Sequence, residues 1–60
     1  MKPEQIKELR EELILDQAEF GKLFGVSRVT ISAWENGRQK PHFTNMRKLR
    51  DMYEKLLSKK

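Results

Sequence analysis

Apolar residues recur along this chain at steps of three and four, the period of helices lying half-buried against a core. Ile6, Leu9 and Leu13 mark a first helix, with the charged pairs Lys7-Glu8 and Glu11-Glu12 between them. Pro3 suits its first position, where a missing N–H costs nothing, and Glu4 suits the positive end of the helix dipole. Asp16 reads as the N-cap of a second, short helix over about 17–24, with Glu19 as its capping-box partner. Phe20, Gly21 and Phe24 share one face of that helix, and Gly25 fits the left-handed residue that closes it. Ser27 is the next N-cap, predicting a third helix from Arg28 to about Asn36 that stops at Gly37. Arg38-Gln39-Lys40-Pro41 is a polar connection in which Pro41 prevents continuation. Either His42 or Thr44 caps a fourth helix with Met46, Leu49, Tyr53 and Leu56 as its apolar stripe, and Lys59-Lys60 sit at its negative end. The expected fold is all-α: a compact four-helix bundle, one domain over residues 1–60.

The stretch from Gln17 to Arg38 carries the most information. Only Gly25-Val26-Ser27 lies between the cap positions of its two helices, and so short a connection makes them cross steeply. Close crossing needs a small residue, which Gly21 supplies. Val26 plugs the turn, and Ile31 and Trp34 anchor the third helix inward, each such burial contributing about 1.5–3 kcal/mol.

Sixty residues make one thin core. With no cysteine, neither disulfides nor thiolate metal sites supplement it, so apolar packing alone must hold it. Leu13-Ile14-Leu15 is the longest apolar run, far too short for a membrane span or a signal-peptide core. The expected setting is the cytoplasm, in default of an export signal. The initial Met favours a complete small protein.

Charge is unevenly distributed. Residues 1–19 carry three basic and six acidic side chains; residues 20–60 carry ten basic and three acidic ones. That asymmetry fits one face for a polyanion, or else ordinary solubilising charge.

With Ile31 and Trp34 inward, the 100° turn per residue points Val29 and Ala33 outward, Ser32 and Asn36 toward one flank and Thr30 toward the other. Arg28 lies in the first turn, where it can reach past the helix end. This outward set is small, polar or flexible, as close approach to a major groove requires. Glu35 is its only acid.

Taken together, Leu9-Arg10, Leu15-Asp16-Gln17, Phe20-Gly21, Leu23-Phe24-Gly25-Val26-Ser27, Thr30-Ile31, Trp34-Glu35-Asn36-Gly37 and Lys40-Pro41 resemble the helix-turn-helix family of phage Cro and cI repressors, the XRE family. The resemblance covers about residues 5–53, with the helix-turn-helix at 17–36, and implies a short lambda-repressor-like form of the bundle. It implies that the third helix, about 28–36, reads double-stranded DNA, with Arg28, Val29, Ser32 and Ala33 facing bases. Arg28 suits guanine O6 and N7, and Val29 a thymine methyl. Gln17, Ser27, Asn36, Arg38 and Lys40 match phosphate-contacting positions; Gln17 and Ser27 also lie at helix N-termini, where free N–H groups favour an anion. Thr30 either joins them or bonds back to its own helix. Arg10 and Glu35 match positions that commonly pair, a partly buried structural ion pair tying the first helix to the third.

The chain departs from that pattern where many relatives have glycine and it has Ile14, which leaves Leu13-Ile14 as an apolar spot at the surface. Many relatives also carry a fifth helix that supports dimerisation, and none is expected within these residues; Met52 and Leu57 offer a substitute contact. The expected activity is transcriptional regulation, by repression, as a homodimer on a palindromic operator. The alternatives are a DNA-binding antitoxin that holds a partner protein through Met52, Leu57 and Leu13-Ile14, and a membrane-surface or RNA-binding basic helix. His42, the lone histidine, reads as a cap or surface residue. Arg47, Lys48 and Arg50 either approach phosphate or form the wet side of the fourth helix. No catalytic, cofactor or metal motif stands in the sequence, so an enzyme is not expected.

Overall fold

A computed structural model of the chain describes residues 1–58. Four helices follow one another, α1 Pro3–Glu12, α2 Gln17–Phe24, α3 Arg28–Glu35 and α4 Phe43–Ser58, with no strand among the described residues. This is the expected all-α bundle. Lys59 and Lys60, placed by the sequence at the end of the fourth helix, lie outside the described residues.

Each helix begins where a side chain can satisfy its free N–H groups. α1 opens on Pro3, and the Gln5 side chain accepts the Lys2 N–H at 2.7 Å. At α2 the capping box closes in both directions: Glu19 N–H donates to Asp16 Oδ1 at 2.7 Å, and Asp16 N–H to Glu19 Oε1 at 2.9 Å. Ser27 Oγ accepts the Thr30 N–H at 3.3 Å, opening α3. Of the two candidates at α4, His42 takes the capping place. Its carbonyl accepts the Met46 N–H at 2.8 Å and its Nδ1 accepts the Thr44 N–H at 3.4 Å.

Three of the helices close on a left-handed residue, Gly25 after α2, Gly37 after α3 and Ile14 after α1, whose own N–H and the next one fold back onto the final turn. α3 ends at Glu35, one residue before the expected stop. Asn36 caps it in right-handed geometry, and Gly37 (φ 74°) turns the chain. Gly37 N–H then donates to Trp34 O at 3.3 Å, and Arg38 N–H to Ala33 O at 2.9 Å. α1 ends the same way, except that the left-handed residue is Ile14 (φ 57°). Ile14 N–H reaches Glu11 O at 3.0 Å, and Leu15 N–H reaches Arg10 O at 3.3 Å. For a residue with a Cβ this conformation costs roughly 1–2 kcal/mol. The early turn also changes the role of Leu13. Although it continues the spacing of Ile6 and Leu9, it is the C-cap of α1 and stays 39% exposed.

Ile6, Leu9, Phe20, Phe24, Ile31, Trp34 and Leu49 form the core. α3 packs against α2 and α1, and α1 packs against α4. The aromatic rings meet edge to face, Phe20 with Phe24 at 5.0 Å and Phe24 with Trp34 at 5.8 Å, the arrangement their quadrupoles favour. On the α4 stripe Leu49 alone is fully buried. Met46, Tyr53 and Leu56 are half-buried, because α4 packs chiefly on α1. Tyr53 also donates its hydroxyl proton to Glu8 Oε1 at 2.8 Å, joining the same two helices.

Candidate nucleic-acid interface

The steep approach of α2 to α3 depends on Gly21. The residue is buried, and a Cβ there would stand 2.5 Å from the Val26 carbonyl oxygen. Gly25 (φ 67°) closes α2, and Val26 packs against the core beneath the turn. α3 is thereby held by Ile31 and Trp34, 0% and 2% exposed, while Val29 is 66% exposed on the other side. Arg28 is exposed beside it; Ser32 and Ala33, one turn on, are half-buried. The base-facing set expected from the sequence thus shares one side of α3, with Arg28 and Val29 foremost. Trp34, being core, is not available for stacking on a base.

The residues at phosphate-type positions surround that side. Ser27, Asn36, Arg38 and Lys40 are exposed. Asn36 Nδ2 donates to Ser32 Oγ at 3.3 Å, so these two do share one flank. Thr30 Oγ1 lies 3.3 Å from Ser27 Oγ, across the first turn. The side chains of Arg28, Arg38 and Lys40 have no ion-pair partner among the described residues, which leaves their charge uncompensated. Arg47, Lys48 and Arg50 are exposed on α4. The described residues hold no group of three His, Cys, Asp or Glu side chains able to bind a metal, and none of their helices is long and apolar enough to cross a membrane.

Behind α3 lies a polar cluster that fixes it to the other helices. Arg10 Nε donates to Glu35 Oε2 at 2.6 Å and its Nη2 to Glu35 Oε1 at 3.2 Å, a two-pronged pair. The side chains are 14% and 5% exposed. Hydrogen bonding to Glu35 holds the Arg10 guanidinium above its ordinary pKa, against the opposing effect of burial. Arg10 Nη1 also donates to Leu15 O at 3.1 Å. Gln17, expected at the phosphate backbone, has its side-chain Nε2 on Glu35 Oε1 at 3.1 Å. No sequence signal could have found this bond, because nothing local links residues 17 and 35.

Residues 6–58 match the helix-turn-helix family. The chain belongs to that family. Its XRE-type character, expected from the motif, stands with it. Among curated proteins, this helix-turn-helix chain is 42% identical over 43 residues to Repressor protein C2 of Salmonella phage P22. The match takes in 72% of the chain but 20% of the phage protein, so the chain spans about a fifth of that relative's length. No solved structure matches it.

Proposed function

We propose that this helix-turn-helix chain binds double-stranded DNA sequence-specifically and regulates transcription in the cytoplasm, as a repressor. α3 enters the major groove, with Arg28, Val29, Ser32 and Ala33 toward base edges. Ser27, Asn36, Arg38, Lys40 and the main-chain N–H groups at the start of α2 lie along phosphates, and Thr30 supports the first turn from within. The observation that carries this reading is the division of α3. Ile31 and Trp34 are sealed in the core, while Val29, an apolar residue with no structural duty, stands 66% exposed beside an unpaired Arg28. A methyl-bearing side chain next to a guanidinium suits a thymine methyl beside a guanine. Family membership and the likeness to a phage protein named as a repressor support the regulatory role.

The chain acts as a homodimer on a roughly palindromic operator. Its recognition helices then lie about 34–36 Å apart, one helical turn of the duplex. Selection of bound sites from a random duplex pool tests the whole reading. The expected result is a two-fold symmetric consensus with half-sites one helical turn apart. Recovery of unrelated sequences would overturn it.

A second reading, an antitoxin that also holds a partner protein, draws on Ile14. That side chain is 90% exposed beside Leu13. Co-purification of a stoichiometric partner, lost on Ile14→Ser, is the result it requires.

A further inference from the structure

We propose that the Gln17 side chain governs DNA discrimination by holding the end of the recognition helix, as a positioning residue acting through Glu35. The inference rests on the DNA-binding reading above. Gln17 is the first residue of α2, and Glu35 the last of α3. The two helices pack at the Gly21–Val26 turn and through the Phe24 and Trp34 rings. The Gln17–Glu35 hydrogen bond adds a polar tie between the first residue of α2 and the last of α3, and so helps fix the angle between them.

The Glu35 carboxylate is a fixed anchor for this purpose. Arg10 occupies both of its oxygens, and Arg10 is itself tied to the Leu15 carbonyl two residues before Gln17. Glu35 Oε1 accepts from Arg10 Nη2 and Gln17 Nε2 together. One carboxylate with a side chain 5% exposed thus gathers the end of α1, the turn after it, the start of α2 and the end of α3. Buried networks of this kind admit few geometries, since each lost bond leaves a polar group unpaired. Base-edge contacts depend on the angle of α3, whereas phosphate contacts through long, flexible side chains tolerate small changes of angle. Loosening the Gln17–Glu35 bond therefore weakens recognition of the best site more than it weakens binding to arbitrary DNA.

The test uses Gln17→Met, which keeps the volume and removes the amide, together with Glu35→Ala and the double variant. Affinity is measured on the selected site and on a scrambled duplex of equal length, well below each variant's Tm. The expected result is that Gln17→Met lowers the ratio of the two affinities by about fivefold, and that the substitution adds little once Glu35 is already alanine. Equal losses on both duplexes would make Gln17 a direct phosphate contact and overturn the proposal. Unchanged affinity on both, with only a lower Tm, would reduce the bond to plain stabilisation and overturn it too. If Glu35→Ala does not fold, the ratio for Gln17→Met decides alone. A wild-type protein that shows no preference between the duplexes would instead refute the DNA-recognition reading itself.

Discussion

Gly21 and Val26 approach so closely that a methyl group on Gly21 would lie 2.5 Å from the Val26 carbonyl oxygen and 3.4 Å from Ile31 Cγ1. The Val26 N–H meanwhile donates to Gly21 O at 3.0 Å, so the turn is bound to the residue it crowds. Alanine in place of glycine favours a helix by about 1 kcal/mol. Overpacking costs typically 1–3 kcal/mol and occasionally more, and a main-chain oxygen cannot swing aside as a side chain can. The clash wins. Gly21→Ala is expected to lower Tm; a melt at or above the wild-type temperature would show that the turn can shift without loss.

Ile14 offers the opposite case. It occupies left-handed geometry with its side chain 90% exposed, so it pays the backbone cost without gaining burial. Ile14→Gly is expected to stabilise the fold by about 1 kcal/mol, reduced somewhat by the freedom glycine gains on unfolding. For a chain of this size that is a rise of roughly 4–8 °C in Tm. A lower Tm would mean the isoleucine packs on something outside the described contacts.

Glu35→Ala leaves the Arg10 guanidinium, only 14% exposed, without its carboxylate. Breaking one member of a buried pair costs about 3–5 kcal/mol, a large share of what so small a core supplies. Chemical denaturation should show the midpoint falling sharply. A midpoint within error of wild type would mean that water replaces the lost partner.

Arg28→Ala is expected to relax preference at a single base pair and to cost about 1–3 kcal/mol on the best site. Competition binding against a set of single-base operator variants reads this directly. An equal loss on every sequence would contradict base reading by Arg28.

Arg38→Ala is expected to weaken binding to all duplexes and to reduce the slope of log affinity against log salt by about one unit. A salt titration of both proteins on one duplex is sufficient. An unaltered slope would remove Arg38 from the phosphate contacts.

Much of the fold was legible in the residues because its punctuation is local. Pro3, Asp16 with Glu19, Ser27, Gly25 and Gly37 each act within a few residues of themselves, and the helix bounds follow from them. The steep α2–α3 crossing was legible for a related reason: a three-residue connection and one buried glycine leave few alternatives. The Arg10–Glu35 pair came from family resemblance, since the two residues are distant in sequence. What stayed hidden was tertiary. Leu13 obeys the apolar period of α1 yet caps it, because the chain turns one residue sooner than periodicity implies. Gln17 matches a phosphate-contacting position by resemblance, and only the crossing of α2 and α3 shows its side chain on Glu35. At α4, Met46, Tyr53 and Leu56 follow the same period as Leu49, but periodicity cannot say how much of a stripe its neighbours will cover.

The side chains that hold α3 in place and those that stand on its outer side are different residues. Ile31 and Trp34 can therefore stay constant while the exposed Arg28 and Val29 are exchanged. On the proposed reading, such exchanges would change the target site one codon at a time and leave the packing of α3 in place.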